Sequence, residues 1–433
     1  MKNLNENTNC AAEIKSRLRI LLVPDFLPWI LGTWAKQIAL VGSVHEYYLF
    51  SEQMIPLYAH EWESLLKTVD VVHFLNQWEI KSIIVPADIP VITSIHHAVD
   101  EHEWKEQLLP LTKADTVMVV AEEWRSFLLD KGVPIEKIHL FYNGVDTTRF
   151  YPFKNKFAAR KRLGIDSTSN LIGYSAKFSS NNGGRKGTEI FLQALKMAAD
   201  EKAKFGVLIT GPGWDDAVGK IRSYGIEVHY RPFLPDRLMP TLYNALDLYV
   251  ITSRIEGGPV PLIESMACGV PVVTTPVGLV REFIHDNVNG LVTPKDDVPA
   301  TAQAISRLLA SPELRQRLAS AALQTVRDNL TWDKTLTGIE RIYTQACKSK
   351  RPNSKPVDST KTINPARQRN WAINVDSYLW HQQLYNQGYY TEGLRGMLES
   401  SWQVGGKDTL KLLRQTFYTV RANGFKKAFR ALL

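Results

Sequence analysis

The feature that most constrains the fold is a regular alternation between short apolar runs and segments of helical length, extending from Leu18 to Val292. Continuous apolar runs are typical of strands that are buried on both faces, and parallel strands need helical crossovers between them. The runs are LRILLV, DVVHFL, PVITSI, TVMVVA, LIGYSA, FGVLITG, LYVITS and PVVTT. The pattern therefore predicts an α/β protein with parallel sheets covered by helices.

The alternation is interrupted near FYNGVDTTRFYPF, where turn residues and aromatic residues replace the periodic pattern. We predict two doubly wound, Rossmann-like domains, residues 17–150 and 151–346, which face each other across a cleft. A polar, proline-containing linker (347–370) and a C-terminal extension (371–433) follow. In such sheets ligands bind beyond the carboxyl ends of the strands, where the strand order reverses.

The basic charge of the chain is concentrated at its C-terminal end. The formal net charge is +8, yet the segment from Lys348 onward holds 15 basic and 5 acidic residues, which leaves the rest at −2. A nearly neutral body argues against nucleic-acid binding. Residues 407–433 hold seven basic residues and one acidic residue. Apolar side chains recur there at helical spacing, at Leu410, Leu413, Phe417 and Val420.

Such a basic amphipathic segment favours an anionic membrane surface, and packing of the stripe onto the body is the alternative. The three cysteines, Cys10, Cys268 and Cys347, form neither a zinc spacing nor a disulfide framework. The N-terminus lacks the apolar core of a signal peptide, and prolines interrupt the apolar run Leu18–Leu31. We therefore expect a cytoplasmic protein that is peripheral, at most, on the inner face of the membrane.

Two carboxylates, Glu256 and Glu264, flank a glycine- and proline-rich corner, EGGPVPLIE, directly after the predicted strand LYVITS. Pro261 can open a helix and Gly269 can end it, so we expect Glu264 in the first helical turn. Free amides at a helix N-terminus favour a phosphate, and a neighbouring carboxylate can accept both hydroxyls of a ribose. Glu264 could instead only complement the helix dipole, but its context favours a nucleotide site.

The segment EGGPVPLIESMACGVPVV resembles the E-x7-E signature of the retaining glycosyltransferase family 4, which has a GT-B fold. FYNGVDTTRF, KGTEIFLQAL, LITGPG, TLYNALDLYVITS and DNVNGLVTP resemble other family segments in the same order. The resemblance implies transfer of a sugar from a nucleotide diphosphate donor to an acceptor hydroxyl in surface polysaccharide or glycolipid assembly. A disaccharide or sugar-phosphate synthase and a non-catalytic nucleotide-sugar-binding subunit are the alternatives.

The resemblance also assigns roles to individual residues. Glu264 would bind the ribose, and Glu256 would contact sugar hydroxyls near the reacting carbon. The amides around Gly257 and Gly258 would meet the sugar or the diphosphate. Lys186 matches the lysine of the family that binds the diphosphate.

Departures from the family pattern leave several positions with alternatives. Lys177 stands where the family has an arginine, and Arg185 could supply that guanidinium instead. His96 matches a histidine at a strand end near the donor sugar, although His97 is an equally plausible candidate from the sequence. Gly32 is the single glycine where the family commonly has two, and it would bring backbone close to the donor or acceptor.

The histidine-rich stretch IHHAVDEHEW has no recognised metal-ligand spacing, and no Asp-x-Asp follows a predicted strand. We therefore expect no metal and no other cofactor. The expected partners are a nucleotide sugar donor and a sugar or lipid-linked acceptor. Lysine, arginine and helix termini would then meet the charge of the leaving diphosphate.

Overall fold

The computed structural model contains two six-stranded sheets among the residues that it describes. The described residues are 17–25, 27, 30–76, 83–97, 111–178, 184–201, 204–350, 363–386, 390–404, 408–409, 411–413 and 415–416. The strands of the first sheet are β1 (Arg19–Val23), β2 (Glu46–Leu49), β3 (Val71–Phe74), β4 (Val91–Ile95), β5 (Thr116–Val119) and β6 (Ile138–Leu140). Their order is β2-β1-β3-β4-β5-β6, with parallel pairing of β1 with β2 and β3, of β3 with β4, and of β5 with β6.

The second sheet is parallel at each of its five pairings. Its strands are β7 (Asn170–Ser175), β8 (Phe205–Thr210), β9 (Glu227–Arg231), β10 (Leu248–Ile251), β11 (Val272–Thr274) and β12 (Leu291–Val292). Their order is β12-β11-β10-β7-β8-β9, which is the doubly wound order of a dinucleotide-binding fold. The direction of winding reverses between β7 and β10, so a ligand site is expected beyond the carboxyl ends of these two strands.

Helices follow most of the strands, as parallel pairing requires. They are α1 (Ile30–Val41), α2 (Ala59–Leu66), α3 (Glu122–Asp130), α4 (Lys156–Arg162), α5 (Thr188–Asp200), α6 (Asp215–Ser223), α7 (Met239–Ala245), α8 (Val260–Ala267), α9 (Val280–Phe283), α10 (Val298–Ala310), α11 (Pro312–Asn329), α12 (Trp332–Lys350), α13 (Pro365–Asn386) and α14 (Tyr390–Val404). The predicted α/β class, with two doubly wound sheets, is confirmed. None of the described helices is both long and apolar enough to cross a lipid bilayer.

The core of the second sheet is built from apolar strands and from the buried faces of the helices next to them. All six residues of β8 are buried, and α5 turns Phe191 and Leu195 inward at helical spacing. The rings of Tyr174 and Phe191 stack with their centres 4.1 Å apart, and Trp214 meets Tyr174 edge-on at 5.4 Å. These rings join β7, α5 and Trp214, which directly precedes α6, in one buried aromatic cluster.

The described residues divide into two compact units. The first unit contains residues 17–93, 111–116 and 340–416, and the second contains 94–97 and 117–339, apart from the gaps given above. The domain boundaries at 150, 346 and 370 that we placed from the sequence stay predictions.

The segment predicted as a linker is helical at both ends. Helix α12 continues through the predicted boundary to Lys350, and α13 begins at Pro365. Lys348 and Lys350 in the last turn of α12 suit the negative end of the helix dipole, and proline is favoured at the start of a helix. Some of the polar residues and prolines that indicated a linker therefore mark the end of α12 and the start of α13.

The C-terminal helix α13 covers the exposed edge of the first sheet within the first unit. The Gln368 amide group accepts a hydrogen bond from the Leu49 N–H at 3.0 Å and donates to the Leu49 carbonyl at 2.6 Å. Arg369 donates to the Tyr47 carbonyl at 2.9 Å. Side chains thus replace a neighbouring strand along β2, which is one way in which proteins protect a sheet edge.

A buried carboxyl group on α13 joins the ends of β1 and β2 within the same unit. Asp376 is fully buried, and it accepts hydrogen bonds from the Leu27 N–H at 2.5 Å and from the Ser51 hydroxyl. Burial raises the pKa of Asp376 to about 7, although both hydrogen bonds lower it. The extension is therefore a packed part of the first unit as far as α13 and α14.

Replacing Asp376 by asparagine should remove a pH-dependent loss of stability. The folded-state pKa of about 7 lies above the value of 3.8 for an exposed aspartate in the unfolded chain, so the stabilising contribution of Asp376 is fully present below pH 3.8 and is lost as pH rises to 7. Asparagine stays neutral, and it can accept from Leu27 and donate to Ser51. In urea unfolding, the stability of the variant relative to wild type should rise between pH 4 and 7 and then level off. A difference that does not change with pH would contradict this.

The basic amphipathic stripe lies mostly outside the described residues. Leu410, Arg414 and residues 417–433 fall there. In the described part Leu412 and Thr416 are buried, and the Thr416 hydroxyl donates to the Tyr378 hydroxyl at 3.2 Å. The Lys411 ammonium lies 4.4 Å from the centre of the Tyr58 ring. This beginning of the segment packs onto the first unit.

Candidate active site

The candidate site is formed by the loops that follow β7 and β10, where the winding of the second sheet reverses. Glu256 lies five residues beyond the end of β10, and Arg185 and Lys186 lie in the turn that precedes α5. All three residues belong to the second unit. One carboxylate and two cations therefore lie beyond the carboxyl ends of the strands, where a ligand site is expected.

The Glu256 carboxylate is buried and makes three contacts with side chains. Its Oε1 accepts from Lys186 Nζ at 2.5 Å and from the Ser253 hydroxyl at 2.8 Å, and its Oε2 accepts from an Arg185 guanidinium nitrogen at 3.0 Å. Burial alone would raise the pKa of Glu256, but the charges and hydrogen bonds of Lys186, Arg185 and Ser253 outweigh it and hold the pKa below its usual range. Glu256 is therefore ionised at neutral pH.

The backbone that carries the two cations is fixed to the end of β10. The Lys186 carbonyl accepts from the Tyr174 hydroxyl at 2.7 Å, and the Arg185 carbonyl accepts from the Arg254 N–H at 2.8 Å. Gly187 has φ +60°, and a Cβ at this position would lie 2.0 Å from the Thr252 carbonyl oxygen. Glycine is required here because both the backbone conformation and the close approach to Thr252 exclude a side chain.

The second candidate cation from the sequence, Lys177, is placed differently. It follows β7, and its side chain is exposed. Among the described residues Lys177 forms no ion pair with a carboxylate, whereas Arg185 contacts Glu256 directly. The geometry therefore brings Arg185, rather than Lys177, next to Lys186.

The two candidate histidines at the end of β4 differ in their relation to this cluster. Burial, together with the positive charge of Arg185, lowers the pKa of His97 to about 3, while Glu256 opposes the shift. His97 is therefore neutral at physiological pH and lies within electrostatic reach of the cluster. His96, which the resemblance favoured, presents its carbonyl oxygen to Gly257. The catalytic role of His96 stays a prediction.

The glycine corner is crowded by protein atoms. A Cβ on Gly257 would lie 1.8 Å from the His96 carbonyl oxygen and 2.5 Å from Val120, and a Cβ on Gly258 would lie 2.5 Å from the Asn143 side-chain amide. The resemblance implies that the amides around these two glycines meet the sugar or the diphosphate. The structure shows that close packing against the protein already requires them.

Three successive carbonyl groups of this corner are held by donors from elsewhere in the second unit. The Trp124 indole N–H donates to the Glu256 carbonyl at 3.0 Å, and the Asn143 amide donates to the Gly258 carbonyl at 2.8 Å. The Leu279 N–H donates to the Gly257 carbonyl at 2.9 Å. We did not identify Trp124 or Asn143 as site residues from the sequence, although Asn143 belongs to the N-G-V-D motif.

Glu264 lies one residue beyond the first turn of α8, which corrects the sequence-based placement. The helix begins at Val260 after an N-cap at Pro259, so Pro261 is its second residue and Glu264 its fifth. Gly269, with φ +69°, follows the end of the helix as predicted. The correction moves Glu264 away from the free amides of the helix N-terminus.

The Glu264 carboxylate accepts a hydrogen bond from the Tyr243 hydroxyl at 2.8 Å. Burial raises the pKa of Glu264 to about 8, although the bond from Tyr243 lowers it. The group is thus largely protonated at pH 7 in the unliganded protein. The ionised group offers both oxygens as acceptors for ligand hydroxyls, whereas the protonated group uses one of them as a donor.

Gly32, the remaining candidate, is buried in the first turn of α1 in the first unit. Its predicted contact with a donor or an acceptor stays a prediction. The second unit holds two cations and the carboxylate that pairs with them, and it also holds Glu264, a carboxylate with a raised pKa. This combination suits a ligand that carries phosphates and hydroxyl groups.

Two family models match the chain. The model described as "Glycosyl transferases group 1" matches residues 155–325, and the model described as "Glycosyltransferase Family 4" matches residues 50–149. Together the two ranges span more than half of the chain. The first range contains Glu256, Glu264, Arg185 and Lys186, and the second contains His96 and His97.

Curated relatives carry glycosyltransferase names. A D-inositol 3-phosphate glycosyltransferase of Xylanimonas cellulosilytica is 28% identical over 316 residues, which cover 70% of this chain and 72% of that protein. The lipopolysaccharide core biosynthesis mannosyltransferase LpsB of Rhizobium meliloti is 29% identical over 217 residues, which cover 46% of this chain and 59% of that protein.

Solved structures share the fold. Sucrose-phosphate synthase from Thermosynechococcus elongatus has a TM-score of 0.64 at 17% identity, over 77% of this chain and 100% of that one. Anabaena HepE in complex with UDP and glucose has a TM-score of 0.63 at 19% identity, over 76% of this chain and 100% of that one. The fold is the GT-B fold that the resemblance implied, and the chain belongs to the family 4 glycosyltransferases.

Proposed function

We propose that the chain transfers a sugar, with retention of configuration, from a nucleoside diphosphate sugar to an acceptor hydroxyl in surface polysaccharide or glycolipid assembly. The observation that carries this proposal is the cluster of Lys186, Arg185 and Glu256 where the winding of the second sheet reverses. Two adjacent cations can meet the diphosphate as the bond to the sugar breaks. The names of the relatives support the reaction class.

Each group of the site has a part in this reaction. Lys186 and Arg185 stabilise the diphosphate, Glu264 holds the ribose, and Glu256 contacts the sugar. The acceptor oxygen forms the new bond on the face from which the diphosphate leaves, and a diphosphate oxygen takes the acceptor proton. The route needs no carboxylate as a covalent nucleophile. The ionised Glu256, held by two cations, suits an electrostatic and hydrogen-bonding role.

The proposal is tested by incubating the purified chain with a panel of nucleotide sugars and measuring donor hydrolysis. Release of a nucleoside diphosphate from one donor in preference to the others is expected. The sugar that is released or transferred should have the anomeric configuration of the donor. Binding of a donor without any turnover would favour the alternative of a non-catalytic nucleotide-sugar-binding subunit, and the absence of both binding and turnover would contradict the proposal, provided that the panel includes the common hexose and pentose donors.

A second acceptor class is supported by the names of the relatives. The first relative is named for D-inositol 3-phosphate, and one structural neighbour is a sucrose-phosphate synthase. A sugar phosphate or polyol phosphate is therefore the alternative to a lipid-linked acceptor. Stimulation of donor turnover by one of these two acceptor types, and not by the other, distinguishes them.

We propose that transfer needs no divalent metal, because Lys186 and Arg185 supply positive charge where the diphosphate would leave. Turnover in excess EDTA should remain within about threefold of the untreated rate. Added magnesium should change the rate by a similarly small factor. Loss of activity on chelation that a divalent ion restores would contradict the proposal.

We also propose that the C-terminal basic segment holds the enzyme at an anionic membrane surface, near a lipid-linked acceptor. Seven basic residues from Lys407 onward support this proposal. Each basic residue near such a surface contributes about 1 kcal/mol. The full chain should bind anionic liposomes at low salt and release them as salt rises, because screening shortens the range of the charges. No binding at low ionic strength would overturn this assignment.

A further inference from the structure

The two cations that would hold the diphosphate are already bound to a carboxylate. Lys186 lies 2.5 Å from one Glu256 oxygen, and Arg185 lies 3.0 Å from the other. The Glu256 side chain is 8% exposed, whereas the Lys186 and Arg185 side chains are 30% and 29% exposed. The carboxylate therefore neutralises the cations from the protein side while they remain accessible to a ligand.

The charge of this cluster depends on Glu256. His97 is neutral at physiological pH, so Arg185, Lys186 and Glu256 together carry a net charge of +1. Without the carboxylate charge the same cluster would carry +2. A nucleoside diphosphate carries at least two negative charges at neutral pH, so it competes with Glu256 for the same two cations.

Resting on the proposed function, we infer that Glu256 is a counter-ion that weakens the retention of the nucleoside diphosphate product. While the donor is bound, Lys186 and Arg185 turn toward the diphosphate. After transfer they return to Glu256, which lowers the cost of releasing the product. Glu256 thus acts on product release in addition to contacting the sugar.

Loss of Glu256 could also have the opposite effect, because cations that are free to move would bind the diphosphate more weakly. The hydrogen bonds of the backbone limit this effect. The carbonyl groups of Arg185 and Lys186 are hydrogen-bonded to Arg254 and Tyr174, and the Thr252 hydroxyl donates to the Gly187 carbonyl at 2.7 Å. The turn therefore keeps its position without the carboxylate. Removal of the competing charge should be the larger effect on diphosphate binding.

The experiment measures diphosphate affinity by titration calorimetry on the full chain. The probes are UDP, GDP and ADP, and the matching monophosphates. For the diphosphate that binds wild type most tightly, Glu256→Gln should lower Kd at least about tenfold, or about 1.4 kcal/mol. The affinity for the matching monophosphate should rise by a smaller factor. In transfer assays the variant should turn over more slowly, and its inhibition constant for the diphosphate should fall by a similar factor.

Three further variants separate charge from shape and from folding. Glu256→Met is a second neutral replacement of similar length, and whichever neutral variant keeps the wild-type melting temperature is used. Glu256→Asp keeps the charge, so its Kd should stay within about threefold of wild type. Glu122→Gln removes a carboxylate that pairs with Arg125 elsewhere in the second unit, and it should leave diphosphate affinity unchanged.

The outcomes distinguish this inference from the proposed function. If wild type binds none of the three diphosphates and no nucleotide sugar, the proposed function fails. If wild type binds a diphosphate, and the neutral variants bind it equally or more weakly, the counter-ion role is wrong while the transferase function stands. If Glu256→Asp lowered the Kd for the diphosphate as much as the neutral variants do, the effect would come from the shape of the side chain rather than from its charge.

Discussion

Replacing Lys186 by methionine should lower kcat/KM for sugar transfer by about 100- to 1000-fold, the loss found when one preorganised donor is removed from a charge-stabilising site. Methionine keeps most of the length of the side chain but removes the ammonium group. The Glu256 carboxylate keeps Arg185 as a partner, so it is not left unpaired in its buried position. Steady-state kinetics with the preferred donor measures the loss.

Lys177→Met is the matched comparison for this prediction. Lys177 is exposed and forms no ion pair with a described carboxylate, so its replacement should change kcat/KM by less than about threefold. Arg185→Met should resemble Lys186→Met more closely, because Arg185 belongs to the Glu256 cluster. If Lys177→Met is as damaging as Lys186→Met, then Lys177 provides the second cation and the site must rearrange when the donor binds.

At about pH 9, where the Glu264 carboxyl group is ionised, its replacement by alanine should weaken binding of UDP, or of whichever nucleoside diphosphate the chain prefers, by about 1.5–3 kcal/mol. This is the usual range for charged hydrogen bonds and corresponds to about ten- to 150-fold in Kd. The expected cause is the loss of an acceptor for both ribose hydroxyls. Calorimetric titration with the same ligand as in wild type measures the change, and a loss below threefold would contradict the ribose role.

The pH dependence of nucleotide binding provides a second test of Glu264. Its pKa of about 8 in the unliganded protein means that binding by the ionised form must first remove a proton. Wild-type affinity should therefore rise about tenfold per pH unit below 8 and level off above 8. The dependence should be absent in Glu264→Ala and weaker for a 2′-deoxynucleoside diphosphate. The deoxy ligand carries the same phosphates, so their own titration cancels in the comparison.

The strands that the apolar runs predict differ in position from the strands that they do not predict. All eight predicted apolar runs form strands. The four strands outside that set are β2, β6, β9 and β12, and each lies at an edge of its sheet. Of these four, only β12 is indicated by the sequence, through the resemblance of DNVNGLVTP to a family strand. An edge strand has a neighbouring strand on one side only, so it can include polar residues such as Glu46 and Glu227. It therefore lacks the continuous apolar run that marks a strand buried within a sheet.

The site shows a similar division. The sequence indicated Glu256 by its motif, Lys186 through the family resemblance and Arg185 as an alternative to Lys177, because all three lie in or beside short motifs. Their roles in the reaction stay predictions. Trp124 and Asn143 come from segments more than 100 residues away from the corner that they hold. The raised pKa of Glu264 depends on burial and on Tyr243, which local sequence does not show. Contacts between distant segments, and the effect of burial on a pKa, could therefore be identified only from the folded structure.

The pairing of Gln368 with Leu49 also has a consequence for synthesis on the ribosome. Strand β2 emerges early, but the side chain that covers its edge follows 319 residues later. At elongation rates of roughly 5–20 residues per second, β2 remains without this cover for about 15–60 s. During this interval the backbone groups of β2 can pair with other nascent chains. The N-terminal part of the chain should therefore depend on ribosome-associated chaperones more than the equilibrium stability of the finished protein would suggest.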